Sequence, residues 1–195
     1  MKISRCPSVW IAVSVAATLA TTLGAVASAT PPPQLSRALH QLLQKLDRVD
    51  TALPGFRIAT SPLVSACDAA ENLPAAARDP AQRAIEATAA FLRRRINRNV
   101  HVPTRDVWNT ADSQRNRYAR LLTTAAERQR LKDVLVAIRM SATSFHQAGA
   151  DLDDSAAASG QRGCRAARGL LKQYEHALAR GERLLADAKG RTAAL

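Results

Sequence analysis

The sequence predicts an all-α protein, an antiparallel four-helix bundle with one short extra helix. Apolar residues recur at alternating spacings of three and four residues in several segments, which is the pattern of a buried helix face. Strand signals are scarce, because the chain has few β-branched runs and no Asn-Gly or Asp-Gly turn. Proline falls between the periodic segments, where it is expected to end helices.

The N-terminus has the three parts of a Sec-type signal peptide over residues 1–29. Two basic residues precede an apolar stretch over residues 8–26. Small residues, Ala27 and Ala29, occupy the two positions that signal peptidase recognises. We expect cleavage between Ala29 and Thr30 and a periplasmic or secreted protein; an uncleaved N-terminal anchor is the alternative. The mature chain is then a Pro-rich tail (30–34), one helical domain (35–190) and a C-terminal tail (191–195), with no transmembrane segment.

The first helix is predicted from a seam of six apolar residues. They are spaced by four or three residues: Leu35, Leu39, Leu42, Leu46, Val49 and Leu53. Pro54-Gly55 is expected to stop this helix. A short extra helix is then predicted from Pro62, with Ser61 as its N-cap, to just before Pro74.

The second half of the chain predicts two long helices. Residues 105–148 contain no glycine or proline, but the apolar stripe changes register, so a bend or break is expected near Glu127–Arg130. Gly149 is expected to end this stretch, and residues 151–163 read as a loop. The last helix begins at Cys164. Small residues that would let a neighbouring helix approach closely follow at Ala167, Gly181 and Ala188.

Two cysteines remain after the predicted cleavage, Cys67 and Cys164. They are expected to form one disulfide in an oxidising compartment. Two buried free thiols or an intermolecular bridge are the alternatives. An up-and-down order of helices supports the pair, since it brings the start of the last helix to the end of the bundle where Cys67 lies. The bond would close a loop of about 96 residues and would raise the free energy of unfolding by at most about 4–5 kcal/mol.

The chain is strongly basic, and its arginines are clustered. Residues 30–195 contain 26 basic and 16 acidic residues, a net charge of +10 that attracts anionic partners. GC-rich coding is an alternative source of the Ala and Arg content. Two clusters are predicted as anion-binding sites: Arg93, Arg94, Arg95 and Arg98, and then Arg115, Arg117 and Arg120. A solvated basic face is the alternative.

The two clusters would lie close together if their helices formed a hairpin. Asp79 and Pro80 begin a helix that reaches about Asn97, and Thr104 is expected to cap the next one. If these helices are antiparallel neighbours joined at residues 98–104, both clusters lie within a few turns of the connection. Aromatic residues near the clusters would assist binding.

The sequence predicts no metal site, cofactor or catalytic constellation. Asp151, Asp153 and Asp154 do not start an EF-hand loop, because glycine and glutamate are missing from the required later positions. The histidines are dispersed, without the spacing of a zinc site on one helix. They are His40, His101, His146 and His176.

The predicted function is non-catalytic binding of an acidic partner through the arginine-rich surface. The partner classes are an acidic protein, an acidic polymer or an anionic lipid surface, without specific nucleic-acid recognition. One alternative is an assembly protein whose heptad seams form a homo-oligomer or bind a partner helix. Another is a small all-α enzyme with chorismate-mutase-like chemistry. It would use Arg57, Arg93 or Arg94, and Glu86 or Gln82, although the run around the early-helix lysine of that family is lacking.

Overall fold

The computed structural model describes residues 32–195, which form helices and no strands. The predicted signal peptide lies outside these residues. The helices are α1 (Pro33–Glu71), α2 (Ala75–Ile96), α3 (Val102–Tyr118), α4 (Ala125–Gly160) and α5 (Cys164–Ala193). A π-helical turn over Asn97–His101 joins α2 to α3 into one continuous helical rod. The bundle therefore consists of four rods, which are α1, the rod formed by α2 and α3, α4 and α5. The predicted all-α, four-helix fold is confirmed.

Ion pairs across the helices show that neighbouring rods are antiparallel. Between α1 and α5, Asp47 pairs with Lys189, whereas Arg57, later on α1, pairs with Glu175, earlier on α5. The rod formed by α2 and α3 meets α4 in the same way, through Arg93 with Asp153 and Asp112 with Arg139. The rod is antiparallel to α1 as well, since Lys45 pairs with Asp106, whereas Phe56, later on α1, lies under Arg95, earlier on the rod.

Helix α1 does not stop at Pro54-Gly55, so that prediction was wrong. The helix continues through Pro54 and Pro62 to Glu71, and the predicted short extra helix is its last part. The seam continues beyond Leu53 at the same spacings, with the buried residues Phe56, Thr60, Leu63, Cys67 and Ala70. Burial of this stripe outweighs the cost of the prolines, about 3 kcal/mol each in a helix interior.

The chain does not reverse at residues 98–104, contrary to the predicted hairpin. Ile96 and Val102 both have helical backbone angles, and the N–H of Val102 donates to the carbonyl of Asn97, five residues earlier. The wider turn comes just before Pro103, which has no N–H to donate. Thr104 is not an N-cap. It is a buried residue within the continuous helix, and its hydroxyl donates to the carbonyl of Val100.

The predicted break between residues 105 and 148 exists, but it lies a few residues earlier than Glu127–Arg130. Leu122 is extended, and Thr124 begins α4 with a capping box that it shares with Glu127. Helix α4 then runs to Gly160, so residues 151–160 are helix and the loop prediction was wrong there. Gly149 lies inside α4, where a β-carbon would come within 2.6 Å of Val100.

The predicted disulfide and the close approach of α5 are both present. Cys67 and Cys164 are buried at disulfide-bonding distance, with their Cα atoms 5.6 Å apart. Ala167, Gly181 and Ala188 are buried as predicted, and the Phe145 ring of α4 fills the space where a side chain at Gly181 would project. None of the helices described is both long and apolar enough to cross a membrane.

Candidate functional site

The structure separates the two arginine clusters. Both lie on the rod formed by α2 and α3, one in its middle and the other at its end. Arg95 and Arg117 are 22 positions apart, which is about 33 Å along a helix that rises 1.5 Å per residue. The two predicted groups therefore do not form one site, because no hairpin folds them together.

Arg93 differs from the other arginines of its cluster. Its guanidinium donates from Nε and Nη2 to the two carboxylate oxygens of Asp153 on α4, at 3.1 and 3.3 Å. This bidentate pair joins the rod to α4 and neutralises the charge of Arg93 locally. The side chain thus has a structural partner within the bundle.

Arg94, Arg95 and Arg98 share the outer side of the rod with two apolar residues. Starting from Phe91, residues three, four and seven positions further on are the three arginines, and Val102 follows Arg98 by four positions. Residues at these spacings lie on one side of a helix. All five are exposed, and none of the three arginines has a carboxylate within salt-bridge distance among the described residues.

Arg95 connects this surface to α1. Its guanidinium carbon lies 5.8 Å from the centre of the Phe91 ring and 6.0 Å from that of Phe56 on α1. Because Lys45 pairs with Asp106 and Phe56 lies under Arg95, the antiparallel register places the exposed Ile58 of α1 at about the level of Arg93. We call the surface formed by Ile58, Phe91, Arg94, Arg95, Arg98 and Val102 the basic face.

The basic face combines positive charge with unusual apolar exposure. Ile58, Phe91 and Val102 are 68%, 54% and 55% exposed, the highest values among the exposed large apolar residues of the described chain. Exposed apolar residues are normal one at a time, and their grouping around unpaired arginines makes the basic face the candidate interaction site. The arginine cluster was visible in the sequence. The apolar part was not, because Ile58 depends on how α1 lies beside α2, and Val102 depends on the helix continuing through residues 97–101.

The second predicted cluster is a more ordinary charged surface. Arg115, Arg117 and Arg120 are all exposed, and Arg117 stacks over Tyr118 with 5.6 Å between the guanidinium carbon and the ring centre. No described carboxylate lies within salt-bridge distance of these three side chains. The only exposed large apolar neighbour in this part of the rod is Leu121, so the cluster lacks the apolar component of the basic face.

The structure disperses the residues considered for an enzyme. Arg57 pairs with Glu175 between α1 and α5, whereas Arg93 pairs with Asp153 between α2 and α4. Gln82 is buried, and its amide donates to the carbonyls of Ser159 and Gly160 at the end of α4. These groups do not converge on one pocket.

One cluster of potential metal ligands exists in the described residues, and its donor atoms do not suit a metal. Asp68, Glu71 and Cys164 lie close together, but the sulfur of Cys164 is bonded to Cys67. Asp68 also forms an ion pair with Arg168. A thiolate, which is the form of cysteine that binds metals, is therefore not present there.

Two of the four dispersed histidines meet in the fold. His101 in the π-helical turn and His146 on α4 have their Nδ1 atoms 3.2 Å apart, and His146 Nδ1 lies 3.1 Å from the hydroxyl of Thr104. Burial, followed by the nearby His146, lowers the pKa of His101. Burial, followed by the charge of Arg105, lowers the pKa of His146. The antiparallel register of α4 against the rod brings the pair together, and helix spacing alone did not reveal it.

Comparison of the chain with protein-family models, with curated proteins and with solved structures found no match.

Proposed function

We propose that this chain is an exported, non-catalytic helical protein that binds an anionic lipid surface through its basic face. The observation that supports this most strongly is the grouping of three exposed apolar side chains with Arg94, Arg95 and Arg98, none of them paired to a carboxylate. Export is proposed on the signal-peptide pattern of residues 1–29.

The mixed composition of the face favours lipid over an acidic protein or polymer. An acidic polymer offers charge to the arginines but nothing for Ile58, Phe91 and Val102. A bilayer interface offers both, because phosphate groups accept bidentate bonds from guanidinium groups and the headgroup region takes up apolar side chains. A positive charge near an anionic membrane contributes about 1 kcal/mol, so three arginines and three apolar contacts are enough for reversible binding.

The alternative of assembly through the heptad seams has less support. The seam residues of α1 and the small residues of α5 are buried within the chain itself. They form the core of the bundle and are not available to a second copy without opening it.

Co-sedimentation with vesicles tests the proposal. We expect the exported, processed protein to bind vesicles that contain phosphatidylglycerol and not vesicles of phosphatidylcholine alone. Arg94→Gln with Arg98→Gln should remove most of this binding. The matched control is Arg180→Gln with Arg183→Gln on α5, which removes the same charge from two exposed arginines elsewhere.

Each outcome bears on a different part of the proposal. Equal losses for the two double variants would show that net charge, and not the basic face, causes binding. Binding to heparin with no binding to anionic vesicles would replace lipid by an acidic polymer as the partner.

A further inference from the structure

A second surface feature lies between α3 and α4, further along the rod than the basic face. It is an open cavity of about 200 Å³. Most of its surface is apolar. Its lining residues are Thr104, Arg105, Trp108, Ala142, Thr143 and His146. The cavity is smaller than the roughly 300–1,000 Å³ typical of pockets for drug-sized ligands, so it suits a small molecule.

Arg105 is the only cationic side chain that lines the cavity, and it has no carboxylate partner among the described residues. Arg105 and His146 line the same cavity, and the charge of Arg105 contributes, after burial, to the lowered pKa of His146. A single unpaired guanidinium beside an apolar wall matches a monovalent anion. A carboxylate can accept two parallel hydrogen bonds from it.

Trp108 forms the aromatic part of the wall and is held in place by its neighbours. The guanidinium carbon of Arg139 lies 4.5 Å from the ring centre, and Asp112 accepts a hydrogen bond of 2.6 Å from Arg139. One face of the indole is therefore covered by a fixed cation, while the side chain remains 43% exposed. A large aromatic surface held at the edge of a cavity is suited to contact an apolar ligand body.

The wall formed by His146 is supported from behind by the π-helical turn. That turn brings His101 against His146, and the hydroxyl of Thr104 lies within hydrogen-bond distance of the same His146 nitrogen. Gly149 makes the approach possible, because a β-carbon there would come within 2.6 Å of Val100 and 3.3 Å of the His101 ring. The Nδ1 atom of His146 is thus satisfied inside the protein, and its ring borders the cavity as a fixed wall.

We propose that this cavity binds a small carboxylic acid with an aromatic or other apolar body. The carboxylate pairs with Arg105, and the body lies against Trp108 and Ala142. The histidines are not a metal site in this scheme, since the described residues provide no third histidine, cysteine or carboxylate beside them. The cavity and the basic face share no residue, so either can fail without the other.

Tryptophan fluorescence can measure this binding directly. The chain contains two tryptophans, and because Trp10 lies in the predicted signal peptide, Trp108 is the sole reporter in the processed protein; Trp10→Phe keeps it so where residues 1–29 are retained. The probes are 3-phenylpropionate and the uncharged 3-phenyl-1-propanol, which have the same ring and chain length. We expect saturable quenching by the acid, with a Kd of about 1 mM or tighter, and binding of the alcohol weaker by about tenfold or more.

Arg105→Gln should weaken binding of the acid by about tenfold and leave the alcohol unchanged. Arg94→Gln, which removes an exposed arginine of the basic face, should change neither. Thr143→Phe, which places a ring in the cavity from an exposed position, should abolish quenching by the acid; circular dichroism checks that each variant is folded.

Three results would overturn the proposal: no saturable binding of the acid, equal affinity for acid and alcohol, or equal effects of Arg105→Gln and Arg94→Gln.

Discussion

At single positions, small residues decide how closely the helices approach. Gly181 on α5 faces the Phe145 ring, and an added β-carbon would lie 2.5 Å from Cδ1 of that ring. Gly169 and Gly190, also on α5, have open space where a β-carbon would project. The same substitution on one helix should therefore have opposite effects on stability.

Gly181→Ala is expected to lower the free energy of unfolding by about 1–3 kcal/mol, because the Phe145 ring must move from a well-packed position. Gly169→Ala should raise it by up to about 1 kcal/mol, because alanine favours the helix at an open site. Urea unfolding monitored by circular dichroism measures both. Equal destabilisation by the two changes would contradict the packing seen at Gly181.

The histidine pair predicts a loss of stability in mild acid. Burial lowers the pKa of both His101 and His146 below the ordinary value of 6.5, so the unfolded chain takes up protons before the folded one does. Their contribution to stability is complete above about pH 6.5 and is lost as the pH falls from there towards the lower folded-state pKa values. Neighbouring charges modify this: Asp153 and Asp154 oppose the shift at His101, and Arg105 assists it at both rings.

Unfolding midpoints in urea at pH 7.5 and pH 5.5 test this expectation. The unaltered protein should lose more stability over this interval than His101→Gln with His146→Gln. Burial raises the pKa of Asp50 and Asp151, which acts in the opposite direction, but both proteins share that contribution. His176→Gln, at an exposed position, is the control and should behave like the unaltered protein. A pH dependence that is the same with and without the pair would refute its role.

At the scale of helices, the sequence predicted which stripes are buried better than where helices end. The seam from Leu35 to Leu53 is buried as predicted. The prediction that α1 ends at Pro54 was wrong because the buried apolar stripe continues at Phe56 and Leu63. Burial of that stripe outweighs the local effect of the proline. The π-helical turn before Pro103 could not be read from the sequence, because an extra residue within a helix leaves no periodic signal over five positions.

Pro54 is expected to weaken α1, because proline has no N–H. The carbonyl of Asp50, four residues earlier, therefore lacks its helical hydrogen bond. Pro54→Ala should raise the free energy of unfolding by about 1–2 kcal/mol, the gain in the helix exceeding the greater freedom of the unfolded chain. Pro33→Ala is the matched control. Pro33 lies at the start of α1, where a missing N–H costs nothing. If both substitutions lowered stability equally, continuity of α1 through residue 54 would be in doubt.

For the molecule as a whole, the disulfide joins the end of α1 to the start of α5. Its cysteines are 97 positions apart, so the unfolded chain is strongly restricted by the bond. Cys67→Ser with Cys164→Ser should lower the free energy of unfolding by at most about 4–5 kcal/mol. Thiol titration of the processed, denatured and unreduced protein should find no free thiol. Two thiols per chain would contradict the bond.

The arginine clusters illustrate what the sequence could predict of the candidate site. Charge and spacing identified Arg94, Arg95 and Arg98, because helical residues at these intervals share a side. Their predicted proximity to Arg115, Arg117 and Arg120 failed, because it depended on a hairpin that the continuous rod replaces. The contribution of Ile58 and the pairing of Arg93 with Asp153 depend on the register between helices, which one helix's pattern does not contain.

The most direct test of membrane binding is to place a tryptophan on the basic face and measure its contact with lipid. In the processed protein, which lacks Trp10, Phe91→Trp with Trp108→Phe gives one reporter, and the same reporter at exposed His176 on α5 is the control. Binding through the basic face predicts that brominated acyl chains in anionic vesicles quench the tryptophan at position 91 and not the one at position 176. Equal quenching at both positions, or none at position 91 while the protein co-sediments, would contradict it.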